Sequence, residues 1–239
     1  MSLALWLIIY MLVAFLIGRA FTGALPWSTV RLFFYPGVVI DILGRSLACL
    51  FAGDGTEGDF SRDGGPGALR SVPGGPLFKS FYVLAPLVAS IAVYIGWEWA
   101  LGYPSGFEGR LPRFETEGKI KLSDFAYEFM SGYVGGVQRQ IGQPRFWGYI
   151  YVSFALVIGC APSLDDLKAG VVALLFVGVG LQIAGGMGIQ QVVDIYDNAV
   201  FWRGFSSFIA CSLFVLAVSG TVLLPVRFLR SKADRELST

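Results

Sequence analysis

An acidic and a basic residue stand four positions apart in the apolar stretch from Tyr35 to Phe51. Pro36 suits the first turn of a helix there, because a proline lacks the N–H that would have no intrahelical partner at that position. In a helix, Asp41 and Arg45 lie one turn apart on the same face, and Cys49 extends that face by another turn. These three side chains could form an ion pair or contribute to a metal site.

The composition of the chain places this helix in a membrane. The 239 residues are 55% hydrophobic and only 15% charged, and the mean hydropathy is +0.65. A soluble domain has about 25% charged residues. The net charge of +1 gives no reason to expect a nucleic-acid partner. We therefore predict an integral membrane protein.

Apolar segments alternate with polar ones and predict an all-α, polytopic membrane protein with about six transmembrane helices in a single domain, 1–239. The expected helices cover 3–18, 32–51, 77–101, 146–161, 167–187 and 199–228. Extramembrane loops are expected at 53–76 and 102–145. Within the second loop, Leu122 to Val137 has the spacing of an amphipathic helix, which lies at the membrane interface, packs against a partner or packs on the protein's own helices.

The stretch that begins at Pro36 resembles the metal-binding helix of site-2-protease-type membrane metallopeptidases. In one branch of that family, a Pro-Gly step and three aliphatic residues precede H-E-x-x-H, and the same step and aliphatic residues occur here. In this alignment the first His falls on Asp41, the Glu on Ile42 and the second His on Arg45. The resemblance implies the helical core of that family.

Two shorter segments add to the resemblance. Residues 85–87, Ala-Pro-Leu, match a step in the corresponding helix of the same branch, and residues 162–167 match its Pro-Ser-x-x-Asp-Leu segment. The resemblance implies that Asp166 stands where the family would have a third zinc ligand. From the residues alone, Ser163 is a helix N-cap, and Asp165 and Asp166 suit a helix N-terminus.

The residues that perform the chemistry of this family are replaced. Two His bind zinc in H-E-x-x-H and the Glu is the general base, whereas this chain contains no His. The resemblance therefore implies a degenerate metal site at Asp41, Ile42, Arg45 and Asp166, with no metal, no other cofactor and no catalytic residue. A Ser or Cys hydrolase also lacks its usual base, and Arg45 would keep an aspartyl dyad ionised.

Three arrangements of the charged residues remain open. A charge in the middle of a membrane helix costs roughly 2.5–3.5 kcal/mol, so Asp41 and Arg45 are expected first to form an ion pair where zinc would lie. In that arrangement Arg45 also reaches Asp165 or Asp166. In the second, Arg45 extends to a lipid headgroup and Asp41 faces a water-filled vestibule. In the third, Asp41, Cys49 and Asp166 hold a metal against repulsion from Arg45.

Two functions follow from this interpretation. The first is a non-catalytic structural or accessory subunit of a larger membrane protein complex, whose partners are the lipid bilayer and other membrane protein subunits. The alternative is a pseudoprotease that binds and regulates transmembrane client peptides. We expect the bacterial inner (cytoplasmic) membrane, and the basic tail that begins at Arg227 favours cytoplasmic termini.

Overall fold

The computed structural model describes residues 2–52, 76–102, 111, 122–190 and 198–236. All regular secondary structure in these ranges is helical, without a β-strand, so the predicted all-α class is confirmed. The helices are α1 (Ser2–Ala24), α2 (Trp27–Phe33), α3 (Tyr35–Ala52), α4 (Pro76–Ala100), α5 (Leu122–Gln140), α6 (Pro144–Gly159), α7 (Leu164–Gly186) and α8 (Ala199–Glu236).

Four of these helices are long and apolar enough to cross a membrane. They contain the segments Leu3–Ala24, Ser80–Ala100, Leu164–Gly186 and Ala199–Leu223. About 20 apolar residues span the hydrocarbon core of a bilayer, so these segments support an integral membrane protein. α3 and α6 are not among these four segments, and α6 has only 16 residues. Six spans therefore stay a prediction.

The predicted bounds of two helices differ from the structure near the N-terminus. Residues 32–51 were expected as one helix but belong to α2 and α3, because Phe34 leaves the helical conformation with φ −112° and ψ 32°. α1 ends at Ala24 rather than at residue 18. The helix continues until the chain approaches Pro26, since the residues before a proline disfavour the α conformation.

Three later helices also differ from their predicted bounds. α6 begins at Pro144, where proline suits the first helical turn, and it ends at Gly159 rather than at 161. α7 begins at Leu164 rather than at 167, because Ser163 caps it. α8 continues to Glu236 rather than to 228, since the residues that follow Pro225 are good helix formers.

α3 lies against α4 and α6 with almost no space between the backbones. A Cβ atom added to Gly37 would lie 1.7 Å from the carbonyl oxygen of Ala155 in α6, and one added to Gly159 would lie 2.5 Å from the backbone of Gly37. On the other side, a Cβ added to Gly44 would lie 2.8 Å from the backbone of Pro86 in α4. Small residues allow such close helix packing in membranes. These glycines therefore fix the position of α3.

Aromatic side chains join α1, α4, α6 and α8 in the core. The rings of Tyr10 and Phe208 have centroids 4.7 Å apart, and those of Phe208 and Tyr94 are 4.9 Å apart. The hydroxyl of Tyr94 is hydrogen-bonded to the hydroxyl of Tyr149 and lies 2.9 Å from Oγ of Ser207. These side chains are fully buried, so the four helices form one packed bundle.

α5 packs on α8 through one face. Phe129 and Tyr133 are buried, and the rings of Tyr133 and Phe214 have centroids 5.7 Å apart. Burial raises the pKa of Tyr133 well above its usual range, so its phenol stays neutral. Tyr127 and Glu128 are exposed on the opposite face. α5 thus packs on the protein's own helices, one of the three arrangements that the sequence left open.

The first predicted extramembrane loop lies almost entirely outside the described residues, and the second lies partly outside them. The first loop, 53–76, is described only at Pro76. In the second, 102–145, the described part contains α5 and the start of α6. The structure therefore bears on the helix within the second loop and leaves the first as a prediction.

Candidate functional site

Arg45 of α3 lies between two carboxylates that belong to different helices. Its Nε donates to Oδ1 and Oδ2 of Asp41 at 3.1 and 3.2 Å, and its Nη2 donates to Oδ2 of Asp166 at 3.3 Å. The guanidinium carbon lies 4.9 Å from the centroid of the Tyr82 ring in α4. We call Asp41, Arg45, Tyr82 and Asp166 the Arg45 cluster. It joins α3, α4 and α7 at one buried charge.

The helical periodicity of α3 accounts for one half of the cluster. Asp41 and Arg45 stand at positions i and i+4, so their side chains meet on one face. Arg45 is only 7% exposed. The position of Gly44 brings this face close to Pro86 of α4. A buried guanidinium is stabilised when carboxylates accept its hydrogen bonds.

The N-terminal cap of α7 accounts for the other half. Oγ of Ser163 accepts a hydrogen bond from the backbone N–H of Asp166 at 3.1 Å, and Oδ2 of Asp166 accepts one from the backbone N–H of Ser163 at 3.4 Å. This reciprocal pair is a capping box. The same Oδ2 atom accepts from Arg45. Asp166 therefore has both of the roles that the sequence offered, as a helix cap and as a residue of the candidate site.

The other residues named from the sequence lie apart from Arg45. Asp165 is a surface residue whose carboxylate lies 4.0 Å from Nζ of Lys168, and its side chain is 87% exposed. Ile42 is 37% exposed on the outer side of α3. Cys49 is buried and forms no disulfide. The structure thus brings Asp41, Arg45 and Asp166 together and leaves Asp165 and Ile42 outside.

Sequence analysis missed Tyr82 and Tyr10 at this site. Tyr82 precedes Pro86 by four positions on α4, so the two share a helix face, and Pro86 contacts the residue next to Arg45. That spacing could have indicated the ring beside the guanidinium. No signal in the sequence points to Tyr10, because its place depends on how α1 packs against the other helices.

A small cavity of about 10 Å³ lies beside the cluster. Tyr10, Arg45, Cys160 and Asp166 contribute the polar part of its lining. The remaining lining is apolar and comprises Met11, Val83, Pro86, Leu87 and Pro162. Nη1 of Arg45 and the hydroxyl oxygen of Tyr10 are buried and have no hydrogen-bond partner among the described residues. The cavity is therefore small, enclosed by four helices and the turn before α7, and partly polar.

The Arg45 cluster does not suit a zinc ion. Zinc is held by tetrahedral sets of Cys, His and carboxylate ligands, but the cluster has two carboxylates with a guanidinium between them. The part of the chain that the structure describes contains no group of three or more His, Cys, Asp or Glu residues that could hold a metal. A metal held by Asp41, Cys49 and Asp166 would require Arg45 to leave its position.

The arrangement in which Arg45 extends to a lipid headgroup also differs from the structure. Both neighbouring carboxylates accept hydrogen bonds from Arg45, and their side chains are 18% exposed for Asp41 and 11% exposed for Asp166. Chemically, the cluster can hold three helices together. Each carboxylate accepts at least one hydrogen bond from the guanidinium.

Comparison of the chain with protein-family models, curated proteins and solved structures gives no match. The resemblance to site-2-protease-type metallopeptidases therefore stays a prediction from the sequence motifs.

Proposed function

We propose that this chain is a non-catalytic, metallopeptidase-like membrane protein that acts as a structural or accessory subunit of a larger membrane protein complex. The observation that carries this proposal is the guanidinium of Arg45 between Asp41 and Asp166. In the alignment with the metallopeptidase motif, all three residues stand at metal-ligand positions. A fixed cation joins the helices there, and a guanidinium does not activate a water molecule as a zinc ion does.

The size of the cavity beside Arg45 supports a non-catalytic role. A volume of about 10 Å³ is close to what a single water molecule needs. A peptide bond with its flanking atoms is far larger than this volume. The absence of His from the whole chain removes the usual general base and zinc ligand.

The proposal includes six membrane-spanning helices, with α3 and α6 in addition to the four long apolar ones. Pairing of Asp41 with Arg45 lowers the cost of placing α3 in a bilayer, because both charges are satisfied inside the protein. α6 has 16 residues and is roughly 24 Å long at 1.5 Å per residue. Its close backbone contact with α3 at Gly37 and Gly159 supports its place inside the bundle.

The outward surface of the bundle supports membrane partners. Leu50, Phe176 and Met187 are each exposed by about three quarters of their surface. Apolar side chains of this size are covered by lipid or by another membrane protein. We place the protein in the bacterial inner membrane with both termini in the cytoplasm, on the basis of the basic residues that follow Arg227.

Native mass spectrometry of the full chain, gently extracted from its own membrane, tests the proposed function. We expect partner subunits at a fixed stoichiometry that survive mild detergent. Weak and exchangeable capture of single-pass membrane proteins would instead support the pseudoprotease alternative. A lone chain that cleaves a membrane peptide would contradict both functions.

A further inference from the structure

The guanidinium of Arg45 has one nitrogen that the ion pairs leave unused. An arginine side chain offers five N–H donors, and in this cluster Nε and Nη2 donate to the two carboxylates. Nη1 is buried and makes no hydrogen bond within the described ranges. Burial of a charged donor without an acceptor is unfavourable. The hydrogen bonding of the guanidinium is therefore incomplete at Nη1.

A second buried polar atom with the same deficit belongs to α1. Tyr10 is 1% exposed, and its hydroxyl has no partner among the residues that the structure describes. Its ring is fixed against Phe208, so the hydroxyl cannot turn away without disturbing the core. Tyr10 and Arg45 line the same cavity.

The contents of this cavity are limited by its size and by its charges. Its volume of about 10 Å³ is close to the lower limit for one water molecule and excludes any larger organic ligand. The carboxylate of Asp166 disfavours an anion, and the guanidinium of Arg45 disfavours a metal cation. A neutral molecule that both donates and accepts hydrogen bonds fits these conditions.

We propose that one ordered water molecule binds in this cavity and bridges α1 to the Arg45 cluster. The water accepts a hydrogen bond from Nη1 of Arg45 and another from the hydroxyl of Tyr10. It donates one to the carboxylate of Asp166. Three hydrogen bonds are typical of a buried water. The water links α1 to α3 and α7 through hydrogen bonds. This inference depends only on the cavity and its polar atoms and does not require the proposed function.

A crystal structure of the full chain in a lipid phase, at a resolution that shows ordered water, tests this site. We expect a density peak within hydrogen-bond distance of both Nη1 of Arg45 and the hydroxyl of Tyr10. A direct hydrogen bond between these two side chains, an empty cavity between ordered side chains, or an anomalous signal from a metal would each overturn the proposal.

Two variants that each remove one buried hydroxyl sharpen the test. Tyr10→Phe keeps the ring against Phe208 but removes a donor from the cavity, and we expect loss of the density peak. Tyr133→Phe removes a buried hydroxyl on α5, and Tyr133 belongs neither to the Arg45 cluster nor to the lining of the cavity, so the peak should remain. A peak that persists in Tyr10→Phe would overturn the bridging role of Tyr10. If neither variant folds, the unmodified protein still decides the question.

Discussion

At the scale of single residues, the stability of the site depends on Arg45. Its guanidinium satisfies Asp41 and Asp166 and lies over the ring of Tyr82. A cation above an aromatic face contributes about 0.5–2 kcal/mol. The removal of one partner of a buried ion pair is costly because the other charge is left buried and unpaired. Substitutions at Arg45 and at its partners should therefore lower the free energy of unfolding much more than substitutions at surface charges.

Replacement of Arg45 by an apolar residue should destabilise the protein strongly. We expect Arg45→Met to lower the free energy of unfolding by about 3–5 kcal/mol, since two buried carboxylates lose their counter-charge. Arg45→Lys keeps the charge but cannot contact both carboxylates in a planar fork, so its loss should be intermediate. Thermal unfolding in detergent gives the ranking, with Lys168→Met as an exposed control. Equal melting temperatures for Arg45→Met and the control would refute the role of Arg45.

The adjacent acids at the start of α7 offer a matched comparison. Asp166→Asn should lower the free energy of unfolding by about 1.5–3 kcal/mol, because it weakens a hydrogen bond to a buried charge. Asp165→Asn removes the same charge at a position that is 87% exposed and should change stability by less than about 1 kcal/mol. Unfolding of both variants under identical detergent conditions measures the difference. A larger effect at Asp165 would contradict the structure of the capping box and cluster.

Part of this arrangement could be predicted from the residues alone. The spacing of Asp41 and Arg45 required only the period of a helix, and the cap formed by Ser163 and Asp166 required only a local motif. The choice of Asp166 over Asp165 as the partner of Arg45 could not be made from the sequence. That choice depends on the rotation of α7 relative to α3. The two bonded residues are 121 positions apart in the chain, so no local pattern specifies this rotation.

At the scale of helices, the position of α3 depends on glycines at its contacts with α4 and α6. Gly37 and Gly159 touch through their backbones, and Gly44 touches the backbone of Pro86. The sequence indicated a helix at this position. It could not show which glycines face another backbone. A glycine that packs closely and one that faces open space look the same in a helix pattern.

Two glycines of α6 give opposite predictions for the same substitution. Gly159→Ala would place a methyl group 2.5 Å from the backbone of α3, so the helices must separate. We expect a loss of at least about 1–3 kcal/mol in unfolding free energy. Gly148→Ala has nothing within 4 Å and should be neutral or stabilising, by up to about 1 kcal/mol, because alanine favours the helix. Equal effects in denaturation experiments would show that α3 and α6 do not pack as described.

The bounds of the helices could be predicted less well than their existence. No proline or glycine stands at the break at Phe34, and one continuous helix was predicted over residues 32–51. The rings of Phe21 and Phe34 lie edge to face with centroids 5.4 Å apart, so a contact between α1 and the break accompanies it. This contact joins two different helical segments, so local sequence patterns do not predict it.

At the scale of the whole molecule, composition was sufficient to predict a helical membrane protein. The apolar content and the long, predominantly apolar segments determine this class. The number of spans depends on α3 and α6, which are not among the four candidate spans. Six spans and four spans give different sides for the loops, which makes the question open to experiment.

Labelling from the two sides of the membrane distinguishes six spans from four. With six spans and cytoplasmic termini, a cysteine introduced at Ser71 should react only from the cytoplasm and one at Ser105 only from outside. If α3 and α6 did not cross, the two positions would exchange sides. The three native cysteines are buried, so an impermeant maleimide should give little background. Reaction of both positions from one side would contradict the six-span proposal.

We propose that the fixed guanidinium of Arg45 occupies the place of a metal ion. Zinc analysis of the purified protein tests this proposal. Asp41→His, Ile42→Glu and Arg45→His together would recreate H-E-x-x-H opposite Asp166. We expect no bound zinc in the unmodified protein and about one zinc per chain in the folded triple variant. Stoichiometric zinc in the unmodified protein would contradict the claim. A folded triple variant without zinc would show that these positions do not form a metal-site scaffold.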